Sequence, residues 1–188
     1  MSGAKTVKTA ALAISLILAF GSAAAQAPAA AEAPFVNAAK TFLQARDGQA
    51  GQIDPAIAAF EALARAEPAQ PLHAAYLGSA ISLKAREAWM PWNKMKYSER
   101  GLDHIDQALA ALKPEHERQL MRGIAVGLET RFVAASTFIN LPDGIFHRRA
   151  AGKKLLDELL RNPALAAAPE PFRGAVQKAA AQAAKAGQ

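Results

Sequence analysis

DPAIAAFEALARAEPAQPLHAAYLGSAISL, residues 54–83, decides the fold. Asp54-Pro55 starts a helix: an Asp side chain accepts from free first-turn amides, and Pro at the first helical position forfeits no hydrogen bond. Ile57, Phe60, Leu63 and Ala64 follow at helical spacing, and Pro68 marks the end. Pro71 opens a second helix, whose apolar side is Leu72, Tyr76, Leu77, Ala80 and Leu83. Gly78 sits in the middle of the second helix, where it costs about 1 kcal/mol against Ala. A close helix crossing explains that cost, because any side chain would hold the two helices apart. Ala56, Ala80 and Gly101 carry the same expectation.

Upstream, Pro34 suits a first helical turn, Phe35, Phe42 and Leu43 give an apolar side, and Asp47-Gly48 stops the helix. Residues 26–33 contain nothing branched or aromatic to bury and read as a flexible leader. Downstream, Trp92, Met95, Glu99, Leu102, Ile105, Leu109 and Leu112 keep helical phase after a turn at Pro91. Leu120, Ile124, Leu128, Phe132, Ala135 and Ile139 predict one long helix. Leu141-Pro142-Asp143-Gly144 turns the chain, and Phe146, Leu155, Leu156, Leu159 and Leu160 mark the return to Pro163. Residues 164–170 form an Ala/Pro linker. From Pro171 to Ala186 a last amphipathic helix presents Phe172, Val176, Ala179, Ala180 and Ala183, suited to closing the open end of a stack. Seven helices and no strand are predicted over 34–188, a single all-α domain of stacked antiparallel helical hairpins.

The spacing resembles that of bacterial tetratricopeptide-repeat proteins, which have a 34-residue period. Ala56, Phe60, Pro68, Leu77, Gly78, Ile105, Ala108, Leu109, Ala151, Leu155 and Pro163 carry the resemblance, which covers residues 35–163. Two departures stand out. Ala74 occupies the place of the family's Trp, and about eleven residues around 89–97 lengthen the second hairpin beyond the period. A similar interval of basic residues separates Pro142 from Gly152. These insertions favour a more compact domain than an open superhelix. The resemblance implies an α-solenoid that holds a protein or peptide on its concave face.

Residues 1–25 read as an export signal: Lys5 and Lys8, an apolar run from Ala10 to Phe20, and Ala23-Ala24-Ala25 before Gln26. That run is shorter than the roughly 20 residues of a membrane span. The expected product is periplasmic or secreted and has no stable span. The chain has 188 residues and no Cys, which excludes disulfides, thiol chemistry and Cys-based zinc sites. Two charges of its net +6 belong to Lys5 and Lys8. The remaining mild basicity fits solubility and a preference for acidic partners or anionic surfaces rather than nucleic acid.

Trp89–Arg100 gathers both tryptophans, Tyr97, two methionines, Lys94, Lys96 and Arg100. Aromatic anchors among cations suit a partner-binding surface. Helical phase assigns Trp92 and Met95 to packing, and leaves Trp89, Lys94 and Tyr97 better placed for the surface. His147, Arg148 and Arg149, followed by Lys153 and Lys154, form a second basic candidate, with a solvated helix face as its plainer reading. His73, His104, His116 and His147 lack the spacing of a metal site. No nucleophile elbow or glycine-rich phosphate loop is present. The sequence therefore points to a non-catalytic scaffold without metal or cofactor, binding a protein or peptide in the cell envelope. Its second reading is a carrier of a small apolar ligand or lipid, with an aromatic pocket near Trp89 and Trp92.

Overall fold

A computed structural model describes residues 27–185, with side chains from residue 32 onward. Most of the described residues are helical, as the periodicity requires. In order come α1 (Ala27–Arg46), α2 (Ile53–Ala66), α3 (Pro71–Glu87), α4 (Pro91–Ala110), a 3-10 turn (Pro114–Glu117), β1 (Leu120–Met121), β2 (Ile124–Ala125) and α5 (Val126–Asn140). They are followed by α6 (Asp143–Phe146), α7 (Arg149–Arg161), α8 (Ala164–Ala167) and α9 (Glu170–Lys185). The residues read as an export signal lie outside the described part.

Helices α1, α3, α5 and α9 succeed one another along an inner face, and α2, α4 and α7 along an outer one. Each outer helix packs on the inner helices either side of it, which is the arrangement of stacked helical hairpins. The tightest joint is α3 on α4. A Cβ built on Gly78 would collide with the Gly101 carbonyl oxygen and approach Ile105 Cγ1 to 2.8 Å. The next hairpin repeats the device at Gly152 of α7, where a Cβ would stand 2.8 Å from Ile139 Cγ1 and 3.1 Å from the Ala135 carbonyl. Ala56 and Ala80 are fully buried, as expected of small residues at crossings.

Among the described residues, three apolar clusters fill the stack. The first joins α1, α2 and α3 through Phe35, Phe42, Phe60 and Tyr76. Phe60 and Tyr76 stack at 4.9 Å between centroids, and Phe42 meets Tyr76 edge-on at 5.2 Å. Both geometries suit the ring quadrupole. The second unites α5, α7, α8 and α9 around Leu128, Leu156, Leu159 and Val176. The third, with Ile105, Ala134 and Phe138, lies between α4 and α5.

The structure departs from the periodicity in five places. Residues 27–33, read as a leader, belong to α1, with Pro34 inside that helix. Helix α2 begins at Ile53, and Asp54 pairs with Lys84 of α3 instead of capping. Residues 120–125 form a small antiparallel hairpin, with Leu120 opposite Ala125 and Met121 opposite Ile124, where a continuous helix was expected. The cause is the turn: Arg122 and Gly123 both have positive φ, 53° and 76°, as a type I′ hairpin turn demands and an α-helix forbids. His147, at φ 52°, splits the expected return helix into α6 and α7. The linker at 164–170 contains the short α8.

Candidate functional site

The inner helices do not close on one another. Between them runs a half-open groove of about 1140 Å³. Its aromatic wall comes from Phe42 on α1, Phe132 on α5, Phe146 on α6 and Phe172 on α9. Polar residues run along its floor: Ser79 and Ser82 on α3, Ser136, Thr137 and Asn140 on α5. Thr137 Oγ1 donates to Ser79 Oγ at 2.9 Å, tying the two central helices beneath the groove. Arg46, Arg86 and Lys94 line the groove from the ends of α1 and α3 and the start of α4, with Asp47 as the acid beside Arg46. The Arg86 guanidinium also donates to the Arg46 carbonyl at 3.0 Å. A shallower depression of about 580 Å³ near Lys154, Glu158 and Arg161 is nearly flat.

A buried charged cluster underlies the groove. Tyr76 Oη donates to Glu129 Oε1 at 2.6 Å, and Arg122 Nη2 to the same oxygen at 2.5 Å. Glu129 is only 2% exposed, and its Oε2 has no hydrogen-bond partner among the described residues. Burial, and then the adjacent Glu129 charge, push the Tyr76 phenol well above its ordinary pKa. Burial would lower the Arg122 pKa, but Glu129 and Tyr76 outweigh it and the guanidinium is held more firmly protonated. The Arg122 amide donates to both carboxylate oxygens of Glu32 at 3.1 Å, and its guanidinium lies 4.8 Å from the centre of the Phe35 ring. A strained non-glycine turn is thus fixed from α1 and α5 at once. This is a positioning device: charge and hydrogen bonds hold the groove floor in one arrangement.

The sequence candidates are scattered around this groove. Trp89 is 88% exposed, in the expected sense. Trp92 is 66% exposed, which corrects its assignment to the packed stripe. Helix α4 begins at Pro91 at the edge of the stack, so the α4 stripe becomes buried only from Ser98 onward. Met95 is half-buried and lines the groove beside the exposed Lys94. Tyr97, expected at the surface, is half-buried against the first core cluster. Lys96 is exposed, and Arg100 reaches Glu61 at 3.6 Å. Neither tryptophan is among the groove-lining residues, so the aromatic pocket expected near them lies instead between Phe42 and Phe172.

The second basic candidate is drawn into the fold. Arg148 forks onto Asp106 through Nη1 at 3.1 Å and Nη2 at 2.5 Å, and covers the Phe138 ring at 5.2 Å. The Arg149 amide donates to Asp143 Oδ1, and His147 is the exposed left-handed cap of α6. Among the described residues, no three His, Asp or Glu side chains converge on a point that would hold a metal ion.

Sequence reasoning missed Tyr76, Arg122 and Glu129 as a unit. The available signals were a lone carboxylate in the apolar run Val126–Phe138 and the Arg-Gly pair before it. The chain matches no family model, no curated protein and no solved structure.

Proposed function

We propose that the protein is a non-catalytic scaffold of the cell envelope that holds an apolar peptide segment of a partner protein in the groove. The observation that carries this reading is the mixed lining. Aromatic walls can bury apolar side chains, while the hydroxyl and amide groups along Ser79, Ser136 and Asn140 offer partners to a peptide backbone. The half-open shape lets a chain lie across it with both ends in solvent. The tetratricopeptide-like spacing supports the same use, by analogy of fold. The placement in the envelope rests on residues 1–25. Selection of random peptides on the immobilised protein tests the reading. Apolar, aromatic-bearing peptides should be enriched, and Ser136→Trp, which fills the groove, should abolish the enrichment. Equal enrichment on Ser136→Trp would overturn it.

A second reading, a carrier of a small apolar ligand, draws on the size of the same cavity and the rings of Phe42, Phe132 and Phe172. Saturable binding of a fluorescent fatty acid, undisplaced by the selected peptides, would favour the carrier.

A further inference from the structure

Trp89 and Trp92 are the only tryptophans of the chain and, among the described residues, its two most exposed large apolar side chains. Neither belongs to any of the three core clusters. The turn that carries them is secured by other groups. The Ala88 amide closes α3 on the Lys84 carbonyl at 3.2 Å, and Asn93 and Lys94 donate to the Met90 carbonyl at 3.0 and 3.1 Å. Met90 between the indoles is 39% exposed, so Trp89-Met90-Pro91-Trp92 forms an apolar knob whose two indoles join none of the core clusters of the described residues.

The charge beside the knob is one-sided. Residues 86–96 hold Arg86, Lys94 and Lys96 against Glu87 alone. The neighbouring cations are engaged, Lys84 with Asp54 and Arg100 with Glu61. Lys94 and Lys96 are exposed and have no ion pair among the described residues.

We infer that this turn seats the protein on the headgroup layer of an anionic lipid bilayer. Indole combines a large apolar body with one N–H donor, the combination that collects at membrane–water interfaces. Lysines just behind it complement phosphatidyl headgroups. Two indoles supply about 300–500 Å² of contact area, well short of the roughly 800 Å² each partner gives to a standard protein interface. A projecting turn enters a soft, laterally fluid layer without needing a shaped counterpart. Among the described residues no helix is long and apolar enough to cross a membrane. This docking is therefore peripheral, combining an aromatic insertion with basic attraction. Pro91 and Lys94 also line the groove, so docking sets one end of the groove at the bilayer surface. The inference does not depend on what the groove holds.

Because both tryptophans lie in the knob, intrinsic fluorescence reads the site directly. The full chain is titrated with vesicles of phosphatidylcholine and phosphatidylglycerol, some carrying lipids brominated near the headgroup. We expect a blue shift and bromine quenching of tryptophan emission. Lys94→Glu with Lys96→Glu, or raised salt, should weaken partitioning about tenfold. Trp89→Ala, with Trp92 left as the reporter, should weaken bromine quenching at a given lipid concentration several-fold while leaving the melting temperature unchanged. Quenching separates the knob from the apolar segment at 10–20, which can tether the chain without bringing indoles into lipid. Absence of shift and quenching on anionic vesicles would overturn the inference. So would a shift produced only by a protein partner, which would assign the knob to that partner.

Discussion

At the scale of single residues, the crossing of α3 and α4 gives the sharpest expectation. Gly78 faces a backbone carbonyl that cannot move aside without moving a helix. Gly78→Leu should therefore cost about 3 kcal/mol, the upper part of the overpacking range, as read from thermal or denaturant melts. Trp89 and Tyr97 should part company in the same assay. Trp89→Ala should change stability by less than about 0.5 kcal/mol, whereas Tyr97→Ala, which strips a ring from the first core cluster, should cost about 1–3 kcal/mol. His73 is 1% exposed and stacked on Phe35 at 5.6 Å, with no hydrogen bond of good geometry to either ring nitrogen among the described residues. Burial lowers its pKa, against smaller opposing effects of Glu67 and the Leu63 carbonyl. Its folded pKa thus lies below the unfolded value of about 6.5. The stability that depends on neutral His73 is complete above that pH. It is lost as pH falls from there through the folded value, because the unfolded chain then binds the extra proton. The denaturant midpoint should drop between pH 7 and pH 5, and His73→Phe should flatten that slope.

At the scale of elements, the helices with periodic apolar sides were legible and the breaks between them were less so. Pro71 opens a helix where the sequence places a start, and Pro91, expected at the turn, is the first residue of α4. The α5 segment reads as helical back to Leu120 because Leu120, Ile124 and Leu128 keep an i, i+4 spacing by coincidence. The spacing of side chains does not reveal that Arg122 has positive φ, since that geometry is held by Glu32, ninety residues away. Similarly, the phase of Trp92 places it on the buried side of α4, but the helix starts beyond the edge of its neighbours and leaves Trp92 66% exposed among the described residues. Periodicity states which face of a helix is apolar, and tertiary placement states how far along the helix that face is covered. Of the groove, only Lys94 is among the partner-binding candidates read from the sequence, because a concave surface assembled from several helices leaves no local motif. At the turn, Gly123→Val should destabilise the hairpin by about 1–2 kcal/mol, through the cost of positive φ in a β-branched residue. Circular dichroism should show unchanged helix content, and proteolysis should become faster between Gln119 and Val126.

At the scale of the whole molecule, most packing is local. Each hairpin forms from segments close in sequence, which favours rapid assembly. The cluster of Arg122, Glu129, Tyr76 and Glu32 is different, because it joins α1 and α3 to α5 across 53 and 90 residues. Its loop-closure entropy is met only once both halves of the stack exist. It should therefore form after the folding barrier. Arg122→Ala leaves Glu129 buried without its charge partner and should cost about 3–5 kcal/mol. Stopped-flow chevrons should place most of that loss in faster unfolding, with the folding limb nearly unmoved. A matching fall in the folding rate would mean that the clasp belongs to the nucleus. With the loss in the unfolding limb, a two-residue turn governs how long the folded protein persists, while the hairpins govern how quickly it is made. Lifetime and speed of assembly would be separately adjustable in this chain, the first through Tyr76, Arg122 and Glu129, which also line the groove.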